Sequence, residues 1–482
     1  MRNCIRLRRI VFVGAVFSLI FFLAFTFSLQ SEAPPEWPHP EEMEFEILQP
    51  EAREAEKFTL GNGLKIYLME DRDLPLIKGE AIIDAGGIYA PAKKVGLAEM
   101  TANLLRTGGS AGIHPDEIDE KLEYLAASIE LNGADQMTTA SFSTLSENKE
   151  EVLELYNDIL RDPDFLEERI ELQREKLHES IRRRDDHPVR LAAEEFVKRV
   201  AEGHPIGWFP THETVNNIAR EDLINFHERY FQPQSVKLAV TGDFEKENML
   251  KKLESTLGTW EGEEVDFPEV PEFEPHPEPK VYHVQQPIEQ SIIFIGHPSV
   301  YFDSEMYAPL NFANRILGGE GDNRLFREIR SRRGLAYAVG SVLTQGLKYP
   351  GFFYSYALTS APNTGETIES IENEISRIRE EEVSQEELED NRQAILNKAV
   401  YRYTSAEEIA RRQTMIDFFN LRPGYYERYI EQVQELEKAD IKNAAQKEFR
   451  PDEAIIMVVG DRNRFDKELE EFGPVEEIEI EF

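Results

Sequence analysis

The chain has 482 residues, of which 41 % are hydrophobic, so it is long enough for about two to four domains with a sizeable buried core. Acidic residues outnumber basic ones by 92 to 54, and the formal charge of -38 excludes nucleic acid as an expected partner because phosphate backbones are repelled. Cys4 is the only cysteine, which excludes an internal disulfide. The negative charge either attracts basic or unfolded peptides or serves only solubility.

Residues 1–31 are predicted to form a membrane anchor or a signal segment. Four arginines precede an uncharged run from Ile10 to Leu29, and about 20 residues at helical rise match the hydrocarbon thickness of a bilayer. The arginines favour the cytoplasmic side, so the rest of the chain is expected to be exported. The length of the run favours an inner-membrane anchor with the bulk of the chain periplasmic or extracytoplasmic. The alternative is cleavage near Ala33, which leaves a soluble periplasmic protein.

Two stretches rich in Pro and Glu divide the remainder. Residues 32–55 are predicted to be a spacer and residues 262–279 a hinge linker, because alternating proline and charge favour an extended connection. The sequence therefore predicts an N-terminal domain over 56–261 and a C-terminal domain over 280–482.

Strands and helices are interleaved in the first of these domains. Strands are predicted over 64–71, 77–87 and 127–145, the last with a turn at Asn132-Gly133, and helices over 148–162 and 166–184. This alternation predicts the α+β class, with helices packed over mixed sheets.

The two domains are predicted to be homologous. The segment "FQPQSVKLAVTGD" at 231–243 and the segment "FRPDEAIIMVVGD" at 449–461 share Phe, Pro, Gly and Asp at one constant offset. Each follows a stretch predicted to be helical, 220–230 and 438–448. A second echo relates 103–109 to 314–320 in the same order. Two echoes in one order indicate a tandem repeat.

Three segments carry a resemblance to a known family: "TLGNGLKIYLMEDRDLP" at 59–75, the stretch over 204–244, and "NRILGGEGDNRLFREIRSRRGLAYAVGS" at 314–341. The chain resembles the pitrilysin, or insulinase-type, zinc metallopeptidases, which include the mitochondrial processing peptidase. The resemblance implies two homologous pitrilysin-like domains that form a clamshell around a chamber.

The zinc motif of that family, H-x-x-E-H, is degenerate here. The amphipathic helix predicted in "VGLAEMTANLLRTGG", residues 95–109, begins after the "GLA" that precedes the motif in the family. Glu99 then stands at the first histidine, Ala102 at the general base and Asn103 at the second histidine. The distal ligand would fall near Glu179 or Ser180. A shifted register does not restore the site, because the chain has no histidine between 39 and 114.

The remaining oxygen ligands do not suit zinc. Glu99, Asn103 and Glu179 would at most hold calcium or magnesium loosely, whereas zinc prefers nitrogen and sulfur beside oxygen. We therefore predict no metal and no cofactor in this chain, and zinc in a partner chain. No two histidines have the one-turn spacing of a helical metal site. A structural role is therefore predicted for five histidines of the first half: His178, His187, His204, His212 and His227.

One functional pair of the family is retained. The resemblance implies that Arg330 and Tyr337, in "RSRRGLAY", contact the zinc-bound substrate as catalytic residues supplied from this chain. Gly334 can end the helix so that both side chains point one way, and both can donate hydrogen bonds to an oxygen that gains negative charge. Arg332 and Arg333 are alternative candidates for the arginine of this pair. The alternative is a surface arginine beside a packed strand tyrosine.

Two functions follow from these residues. The first is a non-catalytic, substrate-binding subunit of a heterodimeric zinc peptidase that acts on exported peptides or proteins. Its partners would be a homologous zinc-bearing chain, the peptide substrate and the membrane through the N-terminal helix. The alternative is a peptidase-derived scaffold or peptide-binding protein with no role in proteolysis. In either case the chain alone is predicted to be inactive as a metallopeptidase.

Overall fold

A computed structural model describes residues 53–273, 281–400 and 405–480. The chain divides into two compact units, Met1–Gln49 and Pro50–Phe482. The first unit, and with it the predicted segment 1–31, lies outside the described residues. Within the three described ranges, no helix is both long enough and apolar enough to cross a membrane.

The first half contains a six-stranded mixed sheet. Its strand order is β1-β2-β6-β3-β5-β4, with β2 parallel to β6 and the other neighbours antiparallel. The strands are β1 (Glu56–Thr59), β2 (Lys65–Glu70), β3 (Leu76–Ile83), β4 (Ser128–Gly133), β5 (Thr138–Leu145) and β6 (Val236–Gly242). The mixed sheet confirms the predicted α+β class for this half.

The turn predicted at Asn132-Gly133 is wrong. Both residues pair with β5, and the chain reverses over Ala134–Met137, where the amide of Ala134 donates to the carbonyl of Met137 at 2.9 Å. Gly133 has a different reason to be glycine. A Cβ placed on it would lie 2.9 Å from the Cα of Glu99, so only a glycine lets the neighbouring helix approach this closely.

Eight helices accompany the first sheet in the described part of the chain. They are α1 (Leu97–Thr107), α2 (Pro115–Tyr124), α3 (Lys149–Arg161), α4 (Glu167–Arg182), α5 (Pro188–Val200), α6 (His212–Asn216), α7 (Arg220–Tyr230) and α8 (Lys246–Ser255). Most of them cover one face of the sheet and enclose a buried apolar core with it. The helices predicted over 95–109, 148–162, 166–184 and 220–230 are confirmed.

The second half repeats this plan. Its sheet has the order β12-β7-β11-β8-β10-β9, in which β7, β11, β8, β10 and β9 take the places of β2, β6, β3, β5 and β4 in the first sheet. The sixth strand differs, because β12 follows β11 in the chain and pairs parallel with β7, whereas β1 precedes β2 and pairs antiparallel with it. Its strands are β7 (Val281–Gln285), β8 (Gln290–Pro298), β9 (Ala336–Leu343), β10 (Phe352–Ser360), β11 (Ile455–Gly460) and β12 (Val475–Glu477). The helices are α9 (Tyr307–Asn314), α10 (Thr364–Glu380), α11 (Gln385–Val400), α12 (Ala406–Phe418), α13 (Tyr425–Glu435) and α14 (Lys438–Glu448). The shared order confirms the predicted tandem repeat.

The two halves exchange a helix. Helix α5 of the first half packs on β8 and β11, where Phe196 stacks on Phe294 with ring centroids 5.7 Å apart. Helix α12 of the second half packs on β2 and β6, where Ile409 and Ala410 bury Tyr67. The predicted clamshell, in which the two halves enclose a chamber, is corrected where these exchanged helices pack. The halves do not close around a chamber there, because a helix of the opposite half occupies the face of each sheet.

The described part of the predicted hinge linker, 262–273, is anchored to both halves. Phe267 packs against Tyr89 of the first half with ring centroids 5.2 Å apart, and Phe273 packs against Phe352 of the second half at 5.3 Å. Aromatic packing therefore holds this connection in place.

Candidate functional site

Helix α1 carries the degenerate zinc motif as the sequence predicts. Gly96 precedes it with a φ of 101°, a left-handed conformation that glycine adopts freely, and Gly108 ends it. Its buried side chains, among them Leu97, Met100 and Leu104, face the core. The helix also runs beside β4 at the sheet edge, with Ala98 and Ala102 close to Gly133.

The three motif positions differ in environment. Ala102 is fully buried, with its Cβ 3.1 Å from a Cβ built on Gly133. Glu99 is exposed, and Asn103 is half-buried and donates from Nδ2 to the carbonyl of Glu99 at 2.9 Å. The helix thus presents a carboxylate and an amide where two imidazoles would stand in an active member.

Glu99 belongs to an acidic pair. Both Glu99 and Asp135 are accessible to solvent, yet the surrounding protein removes enough water to raise the pKa of each carboxyl. Repulsion from Asp135 raises the pKa of Glu99 further, and the positive charge of Arg190 opposes this rise. Sequence reasoning missed Asp135, because the turn that brings it near Glu99 is set by the pairing of β4 with β5.

Glu179, the predicted distal metal ligand, forms ion pairs with two arginines that follow it in the chain. Its carboxylate lies 2.6 Å from Arg182 and 2.5 Å from Arg183. The hydrogen bond from Arg182, followed by the charge of Arg183, lowers its pKa. Ser180, the other candidate, is half-buried on the same helix.

These residues do not fit zinc. The donor set has no imidazole, and its distal carboxylate is already neutralised by two guanidinium groups. Within the described ranges, no three His, Cys, Asp or Glu side chains are grouped so that they could hold a metal ion.

The histidines have local partners. His178 and His212 are 34 positions apart in the sequence, yet their Nδ1 atoms lie 2.7 Å apart, and the other ring nitrogen of His178 is 3.0 Å from Asn216. His227 is buried and its Nε2 lies 2.8 Å from the carbonyl oxygen of Leu160. The sequence analysis missed the His178–His212 contact, because packing of α4 on α6 creates it.

Arg330 and Tyr337 are brought together. The guanidinium carbon of Arg330 lies 5.7 Å from the ring centroid of Tyr337 and 5.0 Å from that of Phe326. Arg330 sits in a π-helical stretch, Phe326–Arg332, and Gly334 ends it with a φ of 63°. The predicted turn at Gly334 is confirmed.

A β-bulge directs Tyr337 outward. Leu358 of β10 pairs with Ala338 and Thr359 pairs with Ala336, so Tyr337 is the extra residue of the edge strand β9. Its side chain is 74 % exposed. Bulges of this kind re-aim side chains and are common beside active sites. The alternative interpretation of Tyr337 as a packed strand residue is wrong.

Arg330 differs from the arginines around it. Arg324 forms a two-pronged ion pair with Glu387 at 2.7 and 2.9 Å, Arg332 lies 2.6 Å from Glu328, and Arg333 pairs with Glu366. Among the described residues, Arg330 is exposed and has no carboxylate partner. Its charge is therefore available to a bound group, and Arg332 and Arg333 are poorer candidates than Arg330.

The fold matches solved peptidase structures. The crystal structure of the peptidase M16 inactive domain from Pseudomonas fluorescens superposes with a TM-score of 0.77 and 23 % identity, over 84 % of this chain and 98 % of that one. The periplasmic protease PqqL from Escherichia coli gives a TM-score of 0.71 and 13 % identity, over 92 % of this chain but only 50 % of that one. At these identities the likeness establishes the fold alone.

Sequence comparisons identify the family. Residues 80–207 match the insulinase domain of peptidase family M16, and residues 217–395 match the domain described as the peptidase M16 inactive domain. An uncharacterized zinc protease of Rickettsia bellii is 25 % identical over 418 residues, 84 % of this chain and 97 % of that protein. The chain has the N- and C-terminal domains of these peptidases in their order, and it belongs to peptidase family M16, the insulinase or pitrilysin family.

Proposed function

We propose that this chain is the non-catalytic, substrate-binding subunit of a zinc peptidase complex. It supplies Arg330 and Tyr337 to a homologous partner chain that holds the zinc. One observation carries the proposal: the exposed guanidinium of Arg330, which has no carboxylate partner among the residues that the structure describes, lies 5.7 Å from the ring centroid of the outward-pointing Tyr337. An ordinary surface arginine in so acidic a chain would be expected to find a carboxylate, as its neighbours do.

The need for a partner follows from the degenerate motif. Helix α1 offers neither a metal ligand set nor a base, so hydrolysis requires both from elsewhere. This chain also spans about half of PqqL in fold, which supports the view that a second unit of similar size completes the peptidase. In this proposal the chamber lies between the two chains.

The chemistry of the pair is electrostatic. A zinc ion held by the histidines and glutamates of the partner's intact H-x-x-E-H motif would supply Lewis-acid polarisation of the scissile carbonyl and activation of water. Arg330 and Tyr337 donate hydrogen bonds to the carbonyl oxygen as negative charge develops on it. Because no carboxylate in the described part of the chain neutralises Arg330, its charge is available to stabilise that oxygen.

The place of action follows from the N-terminal segment. The arginine-flanked apolar run at 10–29 anchors the chain in the inner membrane, with the remainder outside the cytoplasm, where exported peptides are the substrates. Recovery of the protein in a soluble periplasmic fraction with a new N-terminus near Pro34 would show cleavage instead. Recovery in the cytoplasm would contradict both arrangements.

The test requires the assembled complex. The tagged full chain should co-purify with a homologue that has an intact H-x-x-E-H motif, and the reconstituted pair should hydrolyse peptides. Arg330→Ala or Tyr337→Phe should then lower kcat by about 10²- to 10³-fold with little change in KM, because the donors act on charge that appears only in the transition state.

Arg332→Ala is the matched control. Arg332 is two residues from Arg330 and equally basic, but its side chain is 75 % exposed and pairs with Glu328. This variant should keep the activity of the unmodified complex. Equal, small effects of all three substitutions would favour the scaffold or peptide-binding function without proteolysis.

A further inference from the structure

Phe326 faces the same guanidinium as Tyr337. It precedes Arg330 by four positions, so the two side chains are neighbours on one side of the helical turn. The guanidinium carbon lies 5.0 Å from the centroid of the Phe326 ring and 5.7 Å from that of Tyr337. The ring of Phe326 is therefore the nearer of two aromatic contacts.

The position of Phe326 is fixed by its surroundings. Its ring is half-buried, and its backbone N–H donates to Oδ1 of Asn323 at 2.8 Å. Leu325 and Ile329, on the same turn, are fully buried in the core of the second half. The hydrogen bond to Asn323 and the burial of Leu325 and Ile329 fix the backbone that carries the Phe326 ring, while Arg330 remains exposed.

An aromatic ring suits this arginine better than a carboxylate. A long arginine side chain loses conformational freedom when it is ordered for catalysis, and ordering it beforehand reduces that cost. A carboxylate would order it but neutralise its charge. The negative face of a phenyl ring attracts the guanidinium and leaves its charge and its N–H donors available.

We propose that Phe326 is a positioning residue for Arg330. It holds the guanidinium by a cation–π contact in the orientation from which Arg330 donates to the substrate oxygen. This inference rests on the proposed function of Arg330, and Phe326 itself touches no reacting atom.

The contact is testable in the full chain without a partner. With arginine labelled in ¹³C and ¹⁵N, the Arg330 guanidinium resonances should be displaced by the ring current of Phe326. Phe326→Leu should remove most of this displacement, and Phe326→Tyr should retain it. Phe419→Leu, which changes a half-buried phenyl elsewhere in the same half, should leave the Arg330 resonances in place.

Activity of the reconstituted complex gives the second measurement. Phe326→Leu should lower kcat by about two- to five-fold, the factor that corresponds to a surface cation–π contact, with KM unchanged. Phe326→Tyr should restore kcat. If the leucine variant does not fold, 3,5-difluorophenylalanine at position 326 keeps the ring shape while weakening its negative face, and it should lower kcat in the same direction.

Two results would overturn the inference and can be told apart. If Arg330→Ala slows hydrolysis but Phe326→Leu changes neither kcat nor the Arg330 resonances, Arg330 functions without Phe326 and only the positioning role is wrong. If Arg330→Ala itself leaves kcat unchanged, the proposed function is wrong and the positioning role fails with it.

Discussion

Ala102 and Asn103 are adjacent in the motif, yet the fold places them in opposite environments. Asn103 is half-buried at the helix surface, whereas Ala102 is fully buried against Gly133 of β4. The close approach of helix and strand depends on small residues on both sides. Ala102, at the position of the general base, therefore removes a proton acceptor and also allows the helix to pack closely on β4.

Ala102→Glu is expected to destabilise the protein. A carboxylate at this position would be buried without a partner, at a cost of about 2–4 kcal/mol, unless the strand moves away. Urea unfolding of the purified full chain measures the change. Asn103→Glu, one residue further along the same helix, is the control and should change the free energy of unfolding by less than about 0.5 kcal/mol. Equal stability of the two variants would mean that a pocket opens readily at Ala102, and full restoration of the zinc motif would then be feasible.

At the scale of elements, the exchanged helices decide how the halves are joined. Helix α12 begins 218 positions after α5, which is the offset of the sequence repeat, so the exchange is reciprocal between equivalent elements. Each of them covers the sheet face that the helices of the opposite half leave open. Without α5, the apolar face formed by β8 and β11 would be exposed to water.

Phe196→Ala should loosen α5 from the second sheet. Phe196 is 1 % exposed and packs against Phe294 and Tyr354, so its truncation is expected to cost about 3–5 kcal/mol. Hydrogen exchange should show lower protection of the amides of β8 and β11. Val189→Ala, in the same helix but 44 % exposed, should have little effect. Unchanged protection of β8 and β11 in the Phe196 variant would show that the sheet does not depend on this cover.

At the scale of the whole molecule, an ion-pair cluster also joins the halves. Asp417 of α12 lies 2.7 Å from Lys57 and 3.0 Å from Lys65, and it accepts a hydrogen bond from Tyr67. Burial alone would raise the pKa of Asp417, but the hydrogen bonds from Lys57, Tyr67 and Lys65 outweigh burial and lower it to about 2. A carboxylate whose pKa is lower in the folded state stabilises the fold above its unfolded pKa.

The contribution of Asp417 is therefore expected to depend on pH. It should be complete above pH 4 and be lost as the pH falls from about 4 to about 2, at about 2 kcal/mol in all. Asp417→Asn should lower the free energy of unfolding at pH 7 by this amount, and the difference from the unmodified chain should shrink toward pH 2. Asp390→Asn, an exposed carboxylate in the same half, is the control at pH 7. A difference that stays constant from pH 7 to pH 2 would contradict the assigned role.

Local features were predictable from the sequence. The sequence patterns predicted the strands β2 to β5 and the helices α1, α3 and α4 of the first half, and the similar segments at constant offset predicted the repeat. The absence of histidine from the α1 sequence predicted that this helix has no zinc ligands of the family type. Gly334 predicted the turn between Arg330 and Tyr337, because a left-handed residue is a local requirement that glycine meets at little cost.

The tertiary structure alone decided how distant residues meet. The outward direction of Tyr337 depends on a bulge in its pairing with β10, and a change of register by one residue moves a side chain to the other face of a sheet. The contact between His178 and His212 and the proximity of Glu99 to Asp135 arise in the same way. The sequence by itself determined which chemical groups this protein has lost and kept. The packing of strands and helices far apart in the chain decided which of them face solvent, because such contacts leave no periodic pattern in the sequence.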